Sequence, residues 1–138
     1  MSITAVFRLA TANFAEPAPV SLRAVILGGE EALPTDLALL GKHFTPDCLL
    51  VNGFGPTETS VTLQYFTNAQ TKPRSGRLSI GYPVEATRAI LLDKHGIPTE
   101  FVGEIAIRSA HVALGYLKRP GLTAERFIPK IRSEPQAS

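Results

Sequence analysis

Apolar residues recur at helical spacing at Ile3, Val6, Phe7, Ala10 and Phe14, predicting an amphipathic helix over residues 3–14. Glu16-Pro17-Ala18-Pro19 ends it, because proline lacks the amide donor and restrains the residue before it. Leu22–Leu27 is short and apolar, β-branched at its centre and closed by Gly28-Gly29, the pattern of a buried strand. Pro34-Thr35-Asp36 precedes Leu37, Leu39, Leu40 and Phe44, predicting a second helix with Thr35 or Asp36 as its cap. Cys48–Val51 reads as a second buried strand. Strand, helix and strand joined by short connections form a βαβ unit, so the two strands are expected to run parallel.

The second half changes character. Val61–Phe66 alternates as a half-exposed strand does, and residues 68–79 are polar, with Pro73 and Gly76, and read as a mobile loop. Ala89–Leu92, Asp93-Lys94-His95-Gly96 and Gly103–Arg108 read as strand, turn and strand. Helical spacing returns only at Pro120–Phe127, where Thr123 is a candidate cap. The fold class is therefore α/β: a partial parallel βαβ sheet up to about residue 60, followed by antiparallel strands. Two parallel strands do not close a sheet, and both of their faces need cover.

Composition narrows the function classes. The 138 residues are 44% hydrophobic and 19% charged, enough apolar material for a core, and the net charge of +2 is spread among mixed acids and bases. No basic block points to nucleic acid, no apolar run is long enough to span a membrane, and no signal peptide opens the sequence, so a cytoplasmic location is expected. Cys48, the single cysteine, reads as a small core residue, and His43, His95 and His111 have no metal-ligand spacing.

Candidate chemistry concentrates in Asn52-Gly53-Phe54-Gly55-Pro56-Thr57-Glu58, which begins where the second buried strand is expected to end. In open α/β sheets, ligands bind beyond the carboxyl ends of strands. Gly53 and Gly55 let a ligand approach the backbone, and Gly55-Pro56 makes a turn. Asn52 carries an amide donor and acceptor suited to a base edge, and Phe54 offers a stacking face. Thr57 supplies a hydroxyl for a phosphate oxygen, and Glu58 a hard oxygen ligand for Mg²⁺ bridging phosphates. One segment thus contains the parts needed to hold a magnesium nucleotide.

These residues resemble Asn-x-Tyr-Gly-Pro-Thr-Glu, a core motif of the adenylation domains of non-ribosomal peptide synthetases within the adenylate-forming, AMP-binding superfamily. Phe54 stands where tyrosine is usual, keeping the ring and losing the hydroxyl. Leu22–Leu27 with Gly28-Gly29-Glu30 resembles the upstream strand and turn, with Glu31 as a one-residue insertion. Ile80-Gly81-Tyr82-Pro83 and Leu91-Leu92-Asp93 resemble the following strands. Gly103–Ile107, Gly115-Tyr116-Leu117-Lys118-Arg119-Pro120 and Leu122–Phe127 resemble a later motif, whose ending is typical of the peptide-synthetase branch. On the residues themselves, these later segments read as structural, Glu104 included.

The resemblance implies a piece of the large N-terminal domain over residues 1–129, with a disordered tail at 130–138. It implies ligase-type chemistry, in which ATP and an amino acid or other carboxylic acid give an adenylate that passes to a carrier-domain thiol. Asn52 and Phe54 would face adenine, with Gly29, Gly53 and Gly55 also at the nucleotide. Thr57 would meet the α-phosphate and Glu58 would hold Mg²⁺, these two being the catalytic candidates. Ile26, Gly28, Gly53, Val61 and Thr62 would line the substrate pocket, although Ile26 and Val61 read equally well as core. Implied partners are the rest of the adenylation domain and a peptidyl carrier domain bearing phosphopantetheine. The family's Gly-rich phosphate loop, ribose-binding aspartate and C-terminal lysine are not among the 138 residues, so the chain by itself is expected to be inactive. Two other readings remain: a fragment of an acyl-CoA synthetase, or a non-catalytic remnant serving as an interaction module.

Overall fold

The structure, a computed structural model, describes residues 2–14, 22–73 and 76–128. The expected proline stop near residues 16–19 and the tail at 130–138 lie outside the described residues. Helix α1 spans Ile3–Ala12, capped by Ser2, whose Oγ accepts from the Ala5 amide at 3.1 Å. Its buried stripe is Thr4, Phe7 and Thr11, whereas Ile3 and Val6 are exposed. Of the apolar stripe expected from spacing, Phe7 faces the core and Phe14 packs against His43 and Phe44, but Ile3 and Val6 do not turn inward. Threonine shares the inward face because its hydroxyl is satisfied locally: Thr11 Oγ1 donates to the Phe7 carbonyl at 2.8 Å, and Thr4 Oγ1 to the Gly28 carbonyl at 3.4 Å.

Strand β1 is Ala24–Gly28 and helix α2 is Pro34–His43. Pro34 opens the helix, where its missing amide costs nothing. Neither Thr35 nor Asp36 is the N-cap. That position is Leu33, and Asp36 reaches back from inside the first turn to accept from the Leu33 amide at 2.8 Å. Strand β2 is Leu49–Phe54, so it continues into the motif expected to begin at its end, and the turn starts only at Gly55. Strand β3 is Leu63–Asn68 and β4 is Tyr82–Pro83.

The first sheet has the order β1-β2-β3-β4. β1 and β2 are parallel, with Ile26 opposite Val51 and Gly28 opposite Gly53, as the βαβ reading requires. β3 and β4 then add in antiparallel fashion. Alternation along the strands puts Leu27, Leu50, Asn52 and Leu63 on one face and Ile26, Leu49, Val51 and Phe66 on the other. The helices cover the first face. There Leu27, Leu50, Leu37, Leu40, Phe7 and Cys48 form the core. On the second face Ile26 and Phe66 are 56% and 60% exposed, whereas Val51 between them is buried, so that face is only partly open to solvent.

Leu78 joins this core, and the Asn68 side chain folds the start of the 68–79 segment by accepting from the Gln70 amide at 3.1 Å. His43 is buried at the end of α2 with its ring edge-on to Phe14 at 5.5 Å, and neither ring nitrogen has a partner among the described residues.

A second sheet holds β5 (Thr87–Leu92), β6 (Pro98–Thr99) and β7 (Glu104–Ser109) in the order β6-β5-β7, all antiparallel. Asp93 makes its hairpin turn, with Oδ1 accepting from the amides of His95 and Ile97 at 2.8 and 2.9 Å. Helix α3 is Pro120–Arg126. Thr123 lies inside it instead of capping it. No helix among the described residues is long and apolar enough to cross a membrane.

Candidate nucleotide and metal site

The carboxyl ends of β1 and β2 lie side by side, with Gly28, the last residue of β1, opposite Gly53, the next-to-last of β2. A Cβ on Gly28 would sit 3.2 Å from the Gly53 carbonyl oxygen, and one on Gly53 would sit 3.3 Å from that of Leu27. Past β2 the chain makes a tight loop over residues 55–60. The Thr59 amide donates to the Pro56 carbonyl at 3.0 Å, and the Phe54 carbonyl accepts from both the Thr62 amide and hydroxyl at 2.8 and 3.1 Å. Gly55 is obligatory there, since a Cβ would lie 1.7 Å from the Ser60 carbonyl oxygen. Ser60 takes a left-handed φ of 59° to close the loop.

The candidate residues separate onto two faces. Asn52 lies on the helix-covered face, buried, and its Nδ2 donates to the Ser79 carbonyl at 2.8 Å. Phe54 follows it on that face at the end of the strand, 36% exposed. Ile26, Gly28 and Gly53 share the opposite, partly open face, and Val61 joins them, its Cγ1 lying 3.7 Å from where a Gly53 Cβ would be. Thr62 is fully buried, with its hydroxyl occupied by Phe54. Gly29, at φ +81°, turns the chain beside the Ser2 cap. Thr57 is exposed, and its hydroxyl has no partner among the described residues. A hollow of about 270 Å³ lies beside Asn52, on Tyr65, Lys72, Leu78 and Ser79, and includes none of the residues on the partly open face.

Glu58 is held from a distant part of the chain. Its backbone carbonyl accepts from the Ala113 amide at 2.7 Å, and its Oε1 accepts from the Tyr116 hydroxyl. That hydrogen bond, helped by Glu58's own amide, holds the carboxyl below the usual carboxylate range. The same bond pushes the Tyr116 phenol above its ordinary value. In the sequence, Gly115-Tyr116 reads as a structural segment. The only signal of this contact was its place in the later motif, 58 residues from Glu58.

Among the described residues, no group of three or more histidine, cysteine, aspartate or glutamate side chains could hold a metal by itself. The donor chemistry fits Mg²⁺ in one way only. Mg²⁺ is commonly held by one or two carboxylates plus substrate phosphates, and Glu58 offers one carboxylate with Oε1 engaged, beside the unengaged hydroxyl of Thr57.

A parallel βαβ opening with a glycine-rich turn and an acid beyond the strand ends makes this an α/β fold whose candidate site lies at the carboxyl ends of its parallel strands. The AMP-binding enzyme family matches residues 1–117, and the chain belongs to that family. Malpibaldin synthetase of Mortierella alpina is 40% identical over 124 residues, which cover 88% of this chain and 2% of that protein. The N-terminal subdomain of Klebsiella oxytoca NpsA, solved in complex with 3-hydroxybenzoyl-AMSN, superposes with a TM-score of 0.71 at 27% identity, over 90% of this chain and 32% of its own. PA1221, an NRPS protein containing adenylation and PCP domains, gives a TM-score of 0.58 at 30% identity, over 69% of this chain and 20% of its own. The chain thus spans a small part of the proteins it resembles, and its α/β architecture is that of the N-terminal subdomain of adenylate-forming enzymes.

Proposed function

We propose that this chain supplies part of the ATP·Mg²⁺ and substrate site of an amino-acid-activating adenylation domain. The observation that carries the reading is the placement of Thr57 and Glu58 in a constrained loop at the carboxyl end of a parallel strand, with the acid clamped from a distant segment. In the reaction, a substrate carboxylate attacks the α-phosphorus of ATP, pyrophosphate leaves, and the acyl adenylate passes to the phosphopantetheine thiol of a carrier domain.

Asn52 commits one amide N–H to Ser79, and its Oδ1 would accept from the exocyclic amine of adenine. Phe54 stacks on the base. The Thr57 hydroxyl donates to an α-phosphate oxygen. Glu58, together with the phosphates, would hold Mg²⁺, which would supply charge neutralisation for the departing pyrophosphate. Ile26, Gly28, Gly53 and Val61 form the apolar floor under the substrate side chain, with Thr62 fixing the loop behind them. Gly29 and Gly55 keep the backbone near the phosphates clear of side chains.

The test is a chimera. Residues 2–128 replace the corresponding stretch of a complete adenylation domain, and amino-acid-dependent exchange of pyrophosphate into ATP is measured. Exchange well above that of the same chimera with Glu58→Gln supports the reading. Equal exchange by a folded pair removes it.

A further inference from the structure

Helix α3 and the segment before it do more than end the second sheet. Gly115 has a φ of +135°, and a Cβ there would lie 2.5 Å from Thr123 Cγ2, so this point of the chain is pressed against the helix. Thr123 Oγ1 accepts from the Tyr116 amide at 2.9 Å and donates to the Arg119 carbonyl at 3.0 Å. The Tyr116 ring meets Phe127 edge-on at 5.4 Å. Backbone and ring are therefore both fixed, and the hydroxyl arrives at Glu58 Oε1 while the Ala113 amide holds the Glu58 carbonyl at 2.7 Å.

We infer that Tyr116 is a positioning residue for the Glu58 carboxylate, occupying Oε1 and turning Oε2 toward the divalent cation of a bound nucleotide. The inference rests on the ATP·Mg²⁺ reading of the Asn52–Glu58 segment. A free glutamate on an exposed loop samples several rotamers and must be ordered when the cation binds, at a cost in affinity. A phenol fixed by α3 removes most of that cost beforehand. It leaves one oxygen free, which suits a cation taking its remaining ligands from phosphates and water. Thr123 and Phe127, in the Leu122–Phe127 segment, thereby act on the site through Tyr116 without touching the nucleotide.

The test uses the 138-residue chain, titrated with Mg²⁺·ATP and separately with ATP in EDTA, and followed by NMR at the Phe54 and Glu58 amides. Four proteins are compared: the parent, Tyr116→Phe, Glu58→Gln and the double variant. Tyr116→Phe keeps the ring on Phe127 and removes only the hydroxyl. It is expected to weaken Mg²⁺·ATP about three- to tenfold, the scale of one lost hydrogen bond, and to leave metal-free ATP binding unchanged. In the Glu58→Gln background the added change should disappear. A general loosening of the 113–117 segment would persist in that background and in EDTA, and that result overturns the inference even if the variant melts lower. If Glu58→Gln weakens Mg²⁺·ATP while Tyr116→Phe does not, positioning is wrong and the nucleotide reading stands. If the parent binds Mg²⁺·ATP no better than Glu58→Gln does, Glu58 has no part in holding the cation and this inference falls with that role.

Discussion

Arg8 of α1 meets Asp36 of α2 through two hydrogen bonds of 2.8 Å, Nε to Oδ1 and Nη2 to Oδ2. Asp36 is fully buried and also accepts from the Leu33 amide, so every contact to its carboxylate is made inside the protein. Arg8 Nη2 donates as well to the Glu31 carbonyl at 3.0 Å, which ties both helices to the chain just beyond the Gly28-Gly29 turn. Removing Arg8 strands a buried charge. Arg8→Ala is expected to lower stability by about 2–4 kcal/mol, toward the lower end because the Arg8 side chain is 33% exposed. Urea denaturation measures it, and a loss below about 0.5 kcal/mol, the scale of an ordinary surface substitution, would mean the pair is incidental.

Two glycine substitutions should have opposite signs. Gly55→Ala forces a methyl into the Ser60–Val61 backbone and is expected to cost about 1–3 kcal/mol, displacing the loop that carries Thr57 and Glu58. Gly121→Ala, in α3 with open space around it, should raise stability by about 0.5–1 kcal/mol. Thermal melts of the two variants against the parent decide it.

The Tyr116–Glu58 contact has a defined pH window. Glu58's folded value is depressed, so its contribution is fully present above the unfolded value of about 4.3 and is lost as pH falls through the lower folded value. Tyr116's folded value is raised, so its contribution is present below the unfolded value of about 10 and is lost as pH rises through the higher folded value. The Ala113 amide resonance should therefore stay constant across neutral pH and move below about pH 4. A midpoint near neutrality would show that another group governs the docking of this segment.

Within a complete adenylation domain carrying this segment, the motif residues should separate kinetically. Glu58→Gln keeps the side chain's shape and removes its charge, so turnover should fall on the order of 10²–10³-fold. Phe54→Ala removes a contact made equally in ground and transition states and should appear mainly as a raised KM for ATP. Phe54→Tyr should be nearly silent. Unchanged turnover for Glu58→Gln at saturating Mg²⁺ and ATP would deny Glu58 a catalytic role.

Where sequence spacing misled, local polarity explains it. In α1, Ile3 and Val6 fit an inward apolar stripe, yet Thr4 and Thr11 are the residues buried beside Phe7. A threonine hydroxyl that bonds its own helix or a neighbouring strand carries no polar penalty inward, and a hydropathy pattern cannot register that bond. By residue type and position alone, Asp36 reads as a possible helix cap. Its position in the first turn was legible, but its work as a buried partner of Arg8 was not.

Sequence alone determined the parallel βαβ start, the core roles of Leu27, Leu50 and Cys48, and the motif at the end of β2, because these depend on periodicity and residue type over short stretches. Strand alternation already puts Ile26 with Gly28, and separates Asn52 and Phe54 from Gly53; only the tertiary structure decided that Gly53 shares the face of Ile26 and Gly28, because strand register fixes that match. Only the tertiary structure brought Tyr116 to Glu58. That contact depends on how α3 and the second sheet pack beside the loop, and nothing in the spacing of residues 58 apart encodes it.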